Sequence, residues 1–103
     1  MIISISTNKN NVRATVSPHF AKCEWFCLLN TDTKEYSFIE NPLFNQQDHI
    51  GPHVVELLIE KGISAVIAGR FGSKVIDILI KQNIQMIIPD SPKTIAKLIN
   101  QLK

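Results

Sequence analysis

Apolar positions of the first half of the chain fall in short strand-length stretches, with period-two alternation at Ile3-Ser4-Ile5-Ser6 and Tyr36-Ser37-Phe38, and those of the second recur largely at helical spacing. These two periods separate half-buried strands from amphipathic helices. Ile2 to Ser6, Glu24 to Asn30 and Tyr36 to Glu40 read as strands, with the polar run Thr31 to Glu35 as a hairpin turn between the last two. Gly51-Pro52 opens a helix, since proline is tolerated where an N–H would have no partner, and Gly62 closes it after Leu57, Leu58 and Ile59. Ala65 to Ala68 is an unbroken apolar run, the pattern of a central strand covered on both faces. A helix follows from about Ser73 to Gln82, carried by Val75, Ile76, Leu79 and Ile80, and then a strand from Ile84 to Ile88. Ser91 is the expected cap of a last helix, followed by Pro92, with Ile95, Leu98, Ile99 and Leu102 forming one apolar stripe.

The order is βββαβαβα. Strands able to pair antiparallel, followed by right-handed crossovers, predict an α/β fold: a mixed five-stranded sheet with flanking helices, ribonuclease H-like. Nucleases of that architecture hold metal ions with carboxylates that begin on the first strand, and Ile2-Ile3-Ser4-Ile5-Ser6 carries none. Nuclease activity is therefore not expected.

A chain of 103 residues forms one domain spanning 1–103, with a single core and no room for a second lobe. Its apolar runs stay far below the ~20 residues a bilayer crossing needs. The first residues have no basic leader and read as a strand, which predicts a cytoplasmic protein. Eleven basic against nine acidic residues leave a formal charge of +2 spread along the chain, so neither a nucleic-acid nor a membrane surface is expected. Without an export signal, the two cysteines are thiols, ligands or core residues rather than a disulfide.

The chemistry concentrates in Ser17-Pro18-His19-Phe20-Ala21-Lys22-Cys23, where a histidine and a cysteine stand together ahead of an apolar strand. Cys23, at a loop-to-strand junction, is expected either to keep a reachable sulfur, with His19 as co-ligand or as a group that tunes it, or to pack half-buried as a small hydrophobe. Cys27 cannot share a metal with Cys23 along a strand, because four residues at about 3.3 Å each separate them by roughly 13 Å. Cys23, Trp25, Cys27 and Leu29 would then share one face, with Cys27 in the core. His49 and His53 are interrupted by Gly51-Pro52 and form no helical pair, although either has room to turn toward Cys23. In Gly69-Arg70-Phe71-Gly72 the glycines suit the backbone angles of a tight strand-to-helix turn, and Gly69, Arg70 and Gly72 offer N–H groups and a guanidinium to an anion. The two irregular stretches, Thr7 to His19 and Asn41 to Gly51, are long enough to carry function.

Ser17, Phe20 and Cys23 in their spacing, Phe38-Ile39-Glu40-Asn41-Pro42, Val54 to Gly62 and Val66 to Gly72 together resemble the dinitrogenase iron-molybdenum cofactor biosynthesis family, in order and over nearly the whole chain. Where that family has Gly-Arg before the cysteine, this chain has Ala21-Lys22, which keeps the charge but loses a bidentate donor. At the start of the first helix Ile50-Gly51-Pro52 replaces Gly-Ala-Gly. The resemblance implies a non-catalytic binding or carrier protein for an iron-sulfur cluster or an iron-molybdenum-type cofactor precursor, with metallocofactor or cluster-assembly proteins as partners. Its site would comprise Cys23, His19, Gly69, Arg70 and Gly72, with Cys23 and His19 on the metal. Cys23 alone cannot fill the four ligand positions of a typical cluster, so a homodimer or added thiols would complete the set. The alternative is a regulatory or interaction module that takes a phosphorylated metabolite or a partner protein in the same cleft.

Overall fold

The computed structural model describes residues 1–46 and 50–102. Eight elements follow one another as β1 (Ile2–Thr7), β2 (Trp25–Asn30), β3 (Tyr36–Glu40), α1 (Ile50–Glu60), β4 (Ile63–Ile67), α2 (Ser73–Lys81), β5 (Gln85–Ile87) and α3 (Ile95–Gln101). The strands form one mixed sheet in the order β3-β2-β1-β4-β5. β2 pairs antiparallel with β1 and β3, while β4 runs parallel to both β1 and β5. The expected α/β fold and element order are thus realised. β4 is interior and covered on both faces, but the middle of the sheet belongs to β1.

Alternation sorts the strand residues onto two faces. Phe26, Val66 and Ala68 meet Val54, Val55 and Leu58 of α1 and Val75 and Leu79 of α2. Ile3, Ile5, Cys27, Leu29, Ala65 and Ile67 meet Ile95, Leu98 and Ile99 of α3 on the other side. The sheet is therefore a layer between two helical layers, and its inner strands are nearly continuously apolar for that reason. No helix of the described residues is long and apolar enough to cross a membrane.

Two boundaries move from their expected places. β4 starts at Ile63 because Gly62, with φ of 78°, ends α1 in the left-handed region and delivers the chain directly into the strand. α3 starts later than Ser91-Pro92 predicts. Thr94 is its cap, accepting a hydrogen bond from the Lys97 N–H at 3.2 Å, and the segment before it is held extended by the Val16 N–H to Lys93 carbonyl bond at 3.0 Å and the Thr15–Thr94 bridge. Cys23 also changes sides. It precedes β2, in a bend where the period-two rule does not operate, and joins the core under α1 and α2, whereas Cys27 and Leu29 lie under α3.

A candidate anion-binding cleft at the strand ends

β1 and β4 are parallel neighbours, and the loops that leave their carboxyl ends turn in opposite directions, one toward β2 and the other through α2 toward β5. Such a switch point opens a crevice in an α/β sheet. The loop after β1 is drawn over it by the Ser17 N–H to the Ser6 carbonyl at 2.7 Å, the Gly69 N–H to the Ser17 carbonyl at 2.9 Å and the Phe20 N–H to the Arg70 carbonyl at 3.3 Å. The two expected loops therefore meet, as hydrogen-bonded neighbours on one edge.

Gly69 has a different reason for being glycine than the turn suggests. Its φ is not positive, but a Cβ there would lie 2.7 Å from the Pro18 Cα and 3.0 Å from the Pro18 carbonyl oxygen. Close approach of two backbones, not the angle, demands the missing side chain. Gly72 is the opposite case: its backbone is ordinary extended chain (φ −68°, ψ 154°) and nothing lies within 4 Å of a Cβ placed on it.

Between the loops lies a cleft of about 450 Å³, with His19, Phe20 and Lys22 on one side, Arg70 to Lys74 on the other, and the start of α1 along the rim. Phe20 and Phe71 pack at its base in a tilted arrangement, with ring centroids 5.3 Å apart and an interplanar angle of 39°. The Arg70 guanidinium reaches across to the His19 ring, with Nε 3.2 Å from Nδ1 and Nη2 3.3 Å from Nε2. A neutral imidazole has one lone-pair nitrogen, so a single one of these contacts is the hydrogen bond. No described residue lining the cleft is acidic, and among the described residues Lys22, Arg70 and Lys74 form no ion pair. α2 begins at this wall with Gly72 as a cap that has no side-chain bond, so the first N–H groups of the helix lack an intrahelical acceptor. Concentrated positive potential and oriented N–H groups are what a compact anion requires.

Cys23 does not line this cleft. The junction was expected to leave its sulfur reachable, but the residue is wholly buried and its thiol donates to the Phe20 carbonyl at 3.4 Å. Burial pushes the thiol up to about 11, against hydrogen bonds that pull it down. In this arrangement it is a protonated core group that shapes the turn. Cys27 lies in the core as expected, with its thiol pushed up to about 12 by burial alone. His53 points away, exposed and 3.9 Å from Glu56 on its own helix, and His49 lies outside the described residues. Among the described residues no group of three His, Cys, Asp or Glu side chains is placed to hold a metal ion.

Sequence reasoning passed over Lys74, Phe71 as a floor group and, above all, Asn41. The Asn41 side chain is buried and donates to the carbonyls of Ala21 and Cys23, each at 2.8 Å. An asparagine between the end of a strand and a proline was the available signal.

The same architecture occurs in solved structures. A Thermotoga protein with a provisional NifB description superposes with a TM-score of 0.81 over 96% of this chain and 84% of that one, at 23% identity. The apo form of the orange protein from Desulfovibrio gigas superposes with a TM-score of 0.87 over 97% of this chain and 84% of that one, at 17% identity. At such identities the likeness establishes the fold. An uncharacterised protein of Methanocaldococcus jannaschii is 32% identical over 62 residues, which make up 57% of this chain and 52% of that one, so the match spans about half of that relative. The family described as dinitrogenase iron-molybdenum cofactor has a model that matches residues 1–103, and the chain belongs to that family.

Proposed function

We propose that the protein is a non-catalytic carrier that holds an anionic metal-sulfur cargo, an iron-sulfur cluster or an iron-molybdenum-type precursor, in the cleft between the two loops. Family membership connects the chain to iron-molybdenum cofactor biosynthesis. The observation that carries the reading is the charge of the cleft: Lys22, Arg70 and Lys74 line it with His19 beside an uncapped helix start, and no described carboxylate offsets them. Arg70 supplies directed donors, the N–H groups around Gly72 face the remaining charge, and His19 reaches a metal only once its lone-pair nitrogen is released from Arg70. Gly69 acts by letting the loops close on each other. Cys23 enters as a ligand only when the turn over it opens and its proton leaves. Cluster-assembly proteins would deliver and receive the cargo, and a second copy of the chain would supply further ligands.

Anaerobic incubation with iron and sulfide tests this. The wild type is expected to develop a visible charge-transfer band, and Arg70→Ala to weaken uptake by about 1.5–3 kcal/mol, the range for hydrogen bonds to charged groups, with little change in melting temperature. His19→Ala should leave a weaker band. Loss of the band in Cys23→Ala alone would show that the turn opens and that the thiol, not the cationic wall, dominates. A wild type that binds inorganic phosphate but takes up no iron would favour the phosphorylated-metabolite module, which the same cations and helix start also suit.

A further inference from the structure

We propose that Asn41 is the positioning residue of the cleft, and that its side-chain amide fixes the direction in which Lys22 meets anionic cargo. The inference rests on the carrier reading and assigns a specificity role within that site. Lys22 is an exposed ammonium on a flexible stem, and its path into the cleft depends on the backbone from Ala21 to Cys23. That backbone belongs to no helix or strand. What holds it is a set of directed bonds. The Ser6 hydroxyl and the Cys23 thiol both donate to the Phe20 carbonyl, at 3.1 and 3.4 Å, and Asn41 Nδ2 donates to the two carbonyls that flank Lys22 in the chain, each at 2.8 Å.

The Asn41 amide is committed in both of its hydrogens and in one lone pair of its oxygen. Its two hydrogens go to Ala21 and Cys23, its oxygen accepts the Leu43 N–H at 3.0 Å, and its backbone N–H donates to the Glu24 carbonyl at 2.8 Å. The residue is 1% exposed, so water cannot substitute for these bonds. Pro42 restricts the Asn41 backbone to extended conformations and so aims the side chain. Aspartate has the same shape but is an acceptor only when ionised, and would face two carbonyl oxygens with no hydrogen to offer. Asparagine is the side chain of that size that donates twice and accepts once.

The consequence is energetic coupling between Asn41 and Lys22, and a double-mutant cycle reads it. The probe is the iron-sulfide species taken up anaerobically, titrated at a temperature where circular dichroism shows each variant folded. Lys22→Ala and Asn41→Ala are each expected to lower apparent affinity about tenfold, to reduce the salt dependence equally, and to show no further loss when combined. Additive losses, or wild-type affinity in Asn41→Ala, overturn the proposal. Asn41→Ser replaces Asn41→Ala in the cycle should the latter not fold. A cargo-free measurement separates this proposal from the carrier reading. In backbone relaxation experiments the Lys22 amide should fall from the rigid range, about 0.85, to below about 0.6 in the Asn41 variant. If the wild type takes up no iron, the carrier reading fails, while a rigid Lys22 amide in the variant defeats the positioning role by itself.

Discussion

Between pH 9 and pH 12 the protein is expected to lose a large part of its folding free energy through its two buried thiols. In the unfolded chain Cys23 and Cys27 ionise at their ordinary value of 9.0, whereas in the fold burial pushes them up to about 11 and about 12. Below pH 9 both states hold both protons, so the folded state bears no penalty. Above it the unfolded state releases protons that the folded state retains, and stability falls as pH rises through each folded value. At 1.36 kcal/mol per pH unit the loss is about 3 kcal/mol from Cys23 and about 4 kcal/mol from Cys27. Against a total of about 5–15 kcal/mol for a domain of this size, that loss is a large fraction of the stability. Urea titrations at successive pH values measure the slope. Cys27→Ala starts from lower stability at pH 8, since a buried group is lost, but its curve should be the flatter one above pH 9. Equal slopes in the wild type and in both cysteine variants would refute the assignment. The same chemistry bears on cargo: near neutral pH the Cys23 thiol must lose both its cover and its proton before it can ligate a metal.

Gly69→Ala should destabilise the fold by about 1–3 kcal/mol, the usual cost of forcing an atom into filled space. The added Cβ meets the Pro18 backbone, at 2.7 Å from Cα and 3.0 Å from the carbonyl oxygen, and a backbone cannot rotate aside as a side-chain tip can. Relief requires the loops to separate, which breaks the 2.9 Å bond from the Gly69 N–H to the Ser17 carbonyl and moves His19 away from Arg70. The paired control is Gly72→Ala. Nothing surrounds that position, so its stability should stay within about 0.5 kcal/mol of wild type. Its methyl group stands at the cleft wall where α2 begins, and cargo uptake should fall without any thermal signature. Equal melting temperatures for the wild type and Gly69→Ala would show that the loops are not in contact in solution.

Much of this molecule is legible from local pattern alone. Alternation at Ile3 and Ile5, the apolar run at Ala65 to Ile67, helical spacing at Val75 and Leu79, and the break at Gly62 are each properties of a few consecutive residues. Secondary structure responds to exactly that range through backbone geometry and side-chain period. Where the pattern misled, a distant partner had intervened. Pro92 failed to start α3 because the Thr15 and Val16 segment pairs with the chain just before it. Cys23 left the face predicted by counting from Trp25 because it precedes the strand that would make such counting valid. Local pattern thus specifies the elements, the buried character of the inner strands and the two loops that flank the cleft. How those loops meet is a matter of tertiary structure. It set His19 against Arg70, 51 residues away, placed Asn41 beneath Lys22 and closed Gly69 onto Pro18. The physical reason is that β1 and β4 become neighbours only through a crossover, and no local propensity encodes which side chains meet across it.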